Sequence, residues 1–149
     1  MRRWMIGTAL AVLVAGGAEA KTIAVTPGGD AQEKLQTALL DAKPGDVVEL
    51  AAGRYELTDG LSLDAANVTV KGAGPDATVL SFKGQKGSGE GLLISSSKVT
   101  VRDLAVEDAK GDGIKAKGVD QISFVNVRVE WTGGPLATNG AYGVYPVSS

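Results

Sequence analysis

Cysteine and histidine are both missing from the 149 residues of the chain. Their absence excludes disulfides, thiolate zinc sites, nucleophile–base pairs built on Cys or His, and every Ser-His-Asp triad. Basic residues are not in excess either, because 15 Lys and Arg stand against 17 Asp and Glu, a formal net charge of -2. Proteins that bind nucleic acid usually carry a basic patch or stripe. We therefore predict no nucleic-acid partner.

Aromatic residues contribute only 5% of the chain, whereas glycine is abundant at 21 residues and hydrophobic residues make up 44%. A hydrophobic fraction of this size allows a buried core, and it is unlike the composition of disordered chains. Domains commonly contain about 100 to 200 residues. The sequence therefore predicts a single, turn-rich globular domain.

The first 20 residues have the pattern of a secretory signal peptide. Arg2 and Arg3 precede an apolar run over residues 6–14, and Ala18-Glu19-Ala20 supplies the small-x-small motif that signal peptidase cleaves. A membrane anchor is the alternative, but it needs about 20 apolar residues, and this segment is interrupted by two glycines and a glutamate. We predict that residues 1–20 are removed and that the protein is exported to the periplasm or the extracellular space, with no membrane span left.

A short amphipathic helix is predicted over residues 31–42. Asp30 is a good N-cap residue, and Glu33 lies three positions later, as in a capping box. The apolar face contains Leu35, Ala38, Leu39 and Ala42, and the opposite, polar face contains Gln32, Lys34, Gln36 and Asp41. Pro44-Gly45 ends the helix.

Short β-like runs separated by Gly, Asn and Asp turns follow the helix. They cover residues 47–50, 55–57, 61–63, 68–70, 79–82, 92–94, 99–106 and 122–129. The runs repeat: Val99, Val101, Leu104 and Val106 recur 23 positions later as Ile122, Phe124, Val127 and Val129. A second series consists of Leu61, Leu92, Ile114 and Val144. The period is about 22 residues with insertions, a length typical of leucine-rich repeats or a parallel β-helix.

The leucine-rich pattern is absent, and none of the repeats contains a helix. We therefore predict an all-β parallel β-helix, a solenoid whose inward residues stack in ladders between parallel strands. Residues 21–46 would form an N-terminal strand and the short capping α-helix, and residues 47–149 would form the coils. An antiparallel sandwich is the alternative, but it would not explain two apolar series with one period.

The motif Leu35-x2-Ala38-Leu39-x2-Ala42-x-Pro44-Gly45-Asp46-x-Val48-x-Leu50-x2-Gly53-x-Tyr55 resembles the N-terminal cap and first coil of the pectin-lyase-like right-handed parallel β-helix superfamily. Residues 67–72 and 98–104 resemble its coil repeats, so the resemblance covers residues 22–149. It implies a right-handed parallel β-helix. The superfamily contains polysaccharide lyases, glycoside hydrolases, alginate epimerases and periplasmic β-helix proteins of unassigned role, and the fold does not choose among them.

Lys115 and Tyr145 are the candidates for catalysis. A lyase or epimerase removes the proton next to a uronate carboxylate, which requires a base and a cation. The repeats place Lys115 and Tyr145 at equivalent outward positions, with Lys117 nearby. The alternative is that these are solvated outer side chains. Because the chain stops just after a strand, we also expect it to be the N-terminal part of a longer protein, whose catalytic site could lie beyond residue 149.

Glu107, Asp108 and Asp112 cluster near two glycines. No cofactor is predicted, but Asp108 and Asp112 are candidates for oxygen ligands of Ca²⁺, or for a pair of acids that hydrolyses a glycosidic bond. Their spacing does not match an EF-hand. Ordinary turn chemistry is the alternative, because Asp and Gly are common in turns.

The longest insertion runs from Trp131 to Ala141 and leads to Tyr142 and Tyr145. Loops on a rigid scaffold often carry binding groups, and Trp, Tyr and Asn can stack on and hydrogen-bond to a sugar. Trp131, Asn139, Tyr142 and Tyr145 are therefore the candidate substrate-binding residues. The alternative for Trp131 is that it folds back over the core.

Together these features predict an exported protein that binds or processes a periplasmic or extracellular polysaccharide, on a scaffold like that of lyases and epimerases. A non-enzymatic structural or partner-binding protein of the cell envelope is the alternative. A non-functional truncation is the third possibility. The sequence does not decide whether the protein is an enzyme.

Overall fold

A computed structural model describes residues 19–149. The predicted signal peptide, residues 1–20, lies outside the described residues apart from its last two positions. In the described part the chain forms eleven strands and one helix. These are β1 (Thr22–Val25), α1 (Ala31–Asp41), β2 (Val47–Leu50), β3 (Gly53–Glu56), β4 (Leu61–Leu63), β5 (Thr69–Lys71), β6 (Thr78–Ser81), β7 (Leu92–Ile94), β8 (Thr100–Glu107), β9 (Ile114–Lys117), β10 (Ser123–Glu130) and β11 (Val144–Val147).

The strands form two sheets, and every pair is parallel. The seven-stranded sheet has the order β1-β2-β5-β8-β6-β3, with β10 also paired to β8, and the four-stranded sheet has the order β11-β9-β7-β4. The predicted series of Leu61, Leu92, Ile114 and Val144 is confirmed, because each residue is the register partner of the next. The 23-residue repeat is confirmed in the same way by the pairing of β8 with β10.

The predicted fold class, an all-β right-handed parallel β-helix, is wrong. Over residues 19–149 the structure is mixed α/β, with two separate parallel sheets and one helix, and neither sheet closes on itself. The physical reason is that a recurring apolar spacing determines which strands are parallel neighbours and which side chains share a face. It does not determine whether successive strands continue into one closed coil.

The core lies between the inward faces of the sheets and the apolar face of α1. The alternation of buried and exposed residues along the strands produces this core, since β2 and β4 bury every second residue, as strands with one buried face do. The predicted apolar helix residues Leu35, Ala38, Leu39 and Ala42 are all buried, which confirms that face.

Two details of α1 differ from the prediction. Asp30 makes no side-chain cap bond, and its carboxylate lies 3.3 Å from the Lys34 ammonium instead, so the capping box is absent. Gln36 does not face only solvent, because its amide bonds to both the N–H and the C=O of Ser62 in β4, at 2.9 and 3.0 Å. Gln32 similarly bonds to the Gly60 carbonyl. The helix thus covers the β4 edge of the four-stranded sheet.

None of the helices in the described residues is long and apolar enough to cross a membrane.

Candidate functional site

Trp131 begins the loop that follows β10. Its indole Nε1 donates a hydrogen bond to the Ala109 carbonyl oxygen at 2.6 Å, and the side chain is half-buried. Trp131 therefore contacts the preceding repeat and also keeps part of its ring accessible. The ring is fixed in orientation, which lowers the entropy lost when a ligand stacks on it.

Asp108 holds the start of this loop. Its carboxylate accepts hydrogen bonds from both the N–H and the Oγ1 hydroxyl of Thr132, each at 2.8 Å. Asp108 itself has φ of +60°, a left-handed conformation that Asp adopts more readily than most residues. The carboxylate predicted as a metal ligand or an acid is thus used to position the turn that carries Trp131.

A pocket of about 640 Å³ opens beside the Trp131 ring. It is lined by Lys83, Ser88, Asp108, Ala109, Lys110, Trp131, Thr132, Gly133, Leu136, Thr138 and Asn139. A second depression of about 630 Å³ shares Trp131, Leu136 and Asn139 with it. Leu136 is 57% exposed. The two depressions together form a continuous surface with an aromatic ring, an apolar side chain and several polar groups.

Asn139 is one of the lining residues, as the sequence predicted, but its amide is partly used. Its side-chain nitrogen donates to the Gly134 carbonyl at 2.9 Å, and its backbone N–H donates to Leu136. These bonds hold the loop in shape. The side-chain oxygen of Asn139 has acceptor capacity left for a ligand.

Tyr142 and Tyr145 form a different surface. Their rings are stacked with centroids 4.5 Å apart, and the Lys115 ammonium lies 5.7 Å from the Tyr145 ring centroid. Tyr142 is 51% exposed. Tyr145 and Lys115 are register partners on β11 and β9, which confirms their predicted equivalence. The structure therefore brings Lys115, Tyr142 and Tyr145 together, but it links neither tyrosine to Trp131 through a hydrogen bond or ring contact in the described residues.

Lys115 is poorly suited to act as a base. Its ammonium lies 3.0 Å from the Glu90 carboxylate, and this hydrogen bond is the main reason that the pKa of Lys115 is raised above its usual value. The pKa of Glu90 is lowered by its own backbone N–H and by Lys115. Both groups therefore stay charged at neutral pH, and the lysine charge is already balanced.

The carboxylates do not fit a Ca²⁺ site. Ca²⁺ takes six to eight oxygen ligands. Asp112 accepts a hydrogen bond from the Tyr142 N–H at 3.1 Å, and both oxygens of Asp108 are bonded to Thr132. Among residues 19–149 no group of three acidic, His or Cys side chains is arranged to hold a metal ion.

Sequence reasoning missed Lys83 and Lys110, which line the pocket, and Glu90, which pairs with Lys115. Neither lysine stands in a motif, so no sequence signal pointed to them. The repeat does contain a signal for Glu90. This residue lies just before β7, and β7 pairs with β9, the strand that carries Lys115.

No family model, no curated protein and no solved structure matches the chain. The resemblance of residues 22–149 to the pectin-lyase-like superfamily stays a prediction from motifs, and it assigns no activity to this chain.

Proposed function

We propose that this chain is an exported protein that binds a polysaccharide at the pocket beside Trp131. The observation that carries the proposal is the half-buried indole, held by its bond to Ala109 and flanked by polar side chains. Sugar rings present apolar faces and hydroxyl edges. An aromatic ring with nearby amide, hydroxyl and ammonium groups is complementary to both.

The two adjoining depressions favour a polymer over a single sugar. Trp131, Leu136 and Asn139 line both of them, so a chain of sugars could lie across the indole with one unit on each side. Lys83 and Lys110 supply cations on one side only. Export, as the N-terminal pattern of residues 1–20 predicts, would bring the protein to the compartment where such polymers occur.

Binding without turnover is the form of the proposal that the contacts support. Lys115, the candidate base, pairs with Glu90, and its pKa is raised by that bond. The candidate acids Asp108 and Asp112 both accept hydrogen bonds from backbone N–H groups of the loop. A free base and a free acid near one another are what catalysis would need.

The single tryptophan of the exported form gives a direct test. After residues 1–20 are removed, Trp131 is the only tryptophan in the chain. Titration with uronate oligosaccharides and with neutral β-glucan oligosaccharides should shift or quench its fluorescence in a saturable way. Calorimetry of the same titrations should detect binding, and assays for new reducing or unsaturated ends should detect no product.

Variants separate stacking at Trp131 from a purely structural role. Trp131→Ala should weaken calorimetric binding by about tenfold or more. Trp131→Phe keeps a flat ring and should retain part of the affinity. Tyr142→Ala, on the other aromatic surface, is the matched control and should bind as the parent does. If Trp131→Ala lowers the melting temperature and leaves affinity unchanged, Trp131 is a structural residue and the proposed site is wrong.

A further inference from the structure

Strands β1 and β4 each form an edge of a sheet beside helix α1, and the helix covers only one of these two edges with hydrogen bonds. At the edge of the four-stranded sheet, Gln36 bonds to the backbone of Ser62, and Gln32 bonds to the backbone of residues 58–60. These side chains take the place of a neighbouring strand. Strand β1, one of the two edge strands of the seven-stranded sheet, has no such cover in the described residues.

The backbone of β1 has hydrogen-bonding groups directed away from the sheet. The carbonyls of Lys21 and Val25 accept bonds from the β2 side, from Val47 and Ala51, each at 2.9 Å. In a parallel pair, alternate residues bond to the same neighbour. Thr22 and Ala24 therefore direct their N–H and C=O groups to the open side. A strand edge of this kind is a template for pairing with another segment.

A groove of about 440 Å³ runs between this edge and α1. It is lined by Ile23, Ala24, Val25, Thr26, Asp30, Glu33, Lys34, Thr37, Ala38 and Asp41. The residues from α1 recur at intervals of three and four, so they belong to one side of the helix. The groove thus has an open strand edge along one wall and a continuous helix face along the other.

The chemistry of the groove is apolar at its base and acidic at its rim. Val25 and Ala38 are buried, and Ile23 is half-buried. Three carboxylates, from Asp30, Glu33 and Asp41, line it with a single cation, Lys34. That cation is already paired with Asp30 at 3.3 Å. The net charge of the lining is therefore negative.

We propose that this groove binds an extended basic peptide segment, which adds to β1 as a further strand. Backbone hydrogen bonds to Thr22 and Ala24 would provide affinity. Alternate side chains of the peptide would point towards the apolar base and towards the carboxylates, since successive strand residues face opposite sides. Recognition by strand addition at a sheet edge is a recurring mode of peptide binding. The inference is independent of the polysaccharide proposal, because it uses none of the same residues.

The test uses the full chain and a labelled peptide of alternating valine and lysine, monitored by fluorescence anisotropy. We expect saturable binding that weakens as salt increases. A peptide of the same sequence with alternate backbone nitrogens methylated carries the same charge but cannot pair as a strand, and it should not bind. A valine–glutamate peptide should not bind either.

Variants of the protein test the negative charge of the groove and the open backbone of β1 separately. Reversing both charges in Glu33→Lys/Asp41→Lys should weaken the binding of the valine–lysine peptide by about tenfold. Asp76→Lys/Asp120→Lys, at two exposed positions outside the groove, makes the same change in net charge, so it is the matched control and should bind like the parent. Ala24→Pro removes one outward N–H, which an edge strand tolerates, and should also weaken binding.

Equal binding of the methylated and unmethylated peptides would overturn the proposal, because attraction would then be electrostatic only. Equal weakening of binding by Asp76→Lys/Asp120→Lys and by Glu33→Lys/Asp41→Lys would overturn the proposal as well. If Ala24→Pro does not fold, the methylated peptide still tests strand pairing, and the charge reversal still tests recognition of the basic side chains. Self-association of the chain through β1 in the absence of peptide, abolished by Glu33→Lys/Asp41→Lys, would show that the groove accepts a second copy and would also contradict the proposal.

Discussion

The hydroxyl of Tyr55 is buried with the rest of its side chain, and it lies 2.9 Å from the carbonyl oxygens of both Val25 and Ala51. It donates its hydrogen towards these two acceptors and so connects β3 to the end of β1. Desolvation raises the pKa of Tyr55 from its usual 10.0 to about 12. The neutral phenol is therefore the form that the fold requires.

Tyr55 predicts a loss of stability at alkaline pH. In the unfolded chain the phenol ionises near pH 10, whereas in the folded protein it stays neutral to about 12. Stability from this group is complete below pH 10 and declines as the pH rises towards 12. Tyr55→Phe should unfold about 1 kcal/mol more easily at neutral pH, and its stability should fall less between pH 10 and 12. Denaturant unfolding across this range measures both, and Tyr142→Phe, on the exposed ring, should match the parent.

The contact between Trp131 and Ala109 was only partly predictable from the sequence. Its bonding partner Ala109 lies 22 positions earlier, one repeat away, so the period placed the two residues on neighbouring strands or turns. The sequence left open whether Trp131 covers the core or binds a ligand. That choice depends on the path of residues 132–140, which have no repeat counterpart and whose hydrogen bonds are mostly local.

Glu107 at the end of β8 lies in the middle of a charged network across the seven-stranded sheet. Its side chain is only 8% exposed, and the carboxylate lies 3.1 Å from Arg54 on β3 and 3.3 Å from Arg128 on β10. Arg54 also bonds to the Ser81 hydroxyl on β6 at 3.0 Å, and Arg128 pairs with Glu130. The network therefore connects four strands.

Removing the central charge should destabilise the fold. Glu107→Gln leaves two guanidinium groups without their shared buried partner, so we expect a loss of about 2 kcal/mol in the free energy of unfolding. Glu130 is 47% exposed, and Glu130→Gln should cost less than about 0.5 kcal/mol. Chemical denaturation of both variants tests this. Similar losses in the two variants would contradict a central role for Glu107.

Gly72, just after β5, marks a close approach between strands. A Cβ at this position would lie 2.3 Å from the Asp103 carbonyl oxygen and 2.8 Å from the Thr78 Cβ. Because the first contact is with backbone, Gly72→Ala must push β5 and β8 apart. It should destabilise by about 1 to 3 kcal/mol, whereas Gly89→Ala, which has nothing within 4 Å, should change stability little. Thermal melts of the two variants provide the comparison.

The limits of most strands were predictable because apolar alternation and turn residues are local signals. The predicted runs 47–50, 61–63 and 92–94 coincide with β2, β4 and β7. The polar side of α1 was not predictable in the same way. Gln32 and Gln36 have the spacing of a solvated face, and only the position of β4 beside the helix turns them into edge partners.

Over the whole molecule, the repeat predicted the parallel neighbours but not the class of fold. Residues such as Leu61, Leu92 and Ile114 share one register because each buries its side chain against the next. The path of the polypeptide from one sheet to the other is set by turns and by α1. The contacts of α1 are with residues distant in sequence. The same limit applies to the site, since the pocket combines Lys83, Lys110 and Trp131 from three separate turns.

The measurement that tests polysaccharide binding most directly is a map of amide chemical shifts during titration with the oligosaccharide that binds best. We expect saturable shifts at residues 108–110 and 131–140, around the Trp131 pocket, and unchanged shifts along α1, which packs against β1 and β4. Trp131→Ala should move these shifts to about tenfold or more higher oligosaccharide concentration and leave the rest of the spectrum intact. Polysaccharide binding at the Trp131 pocket would be contradicted by shifts confined to Tyr142, Tyr145 and Lys115. It would also be contradicted by the absence of shifts with every uronate and neutral oligosaccharide.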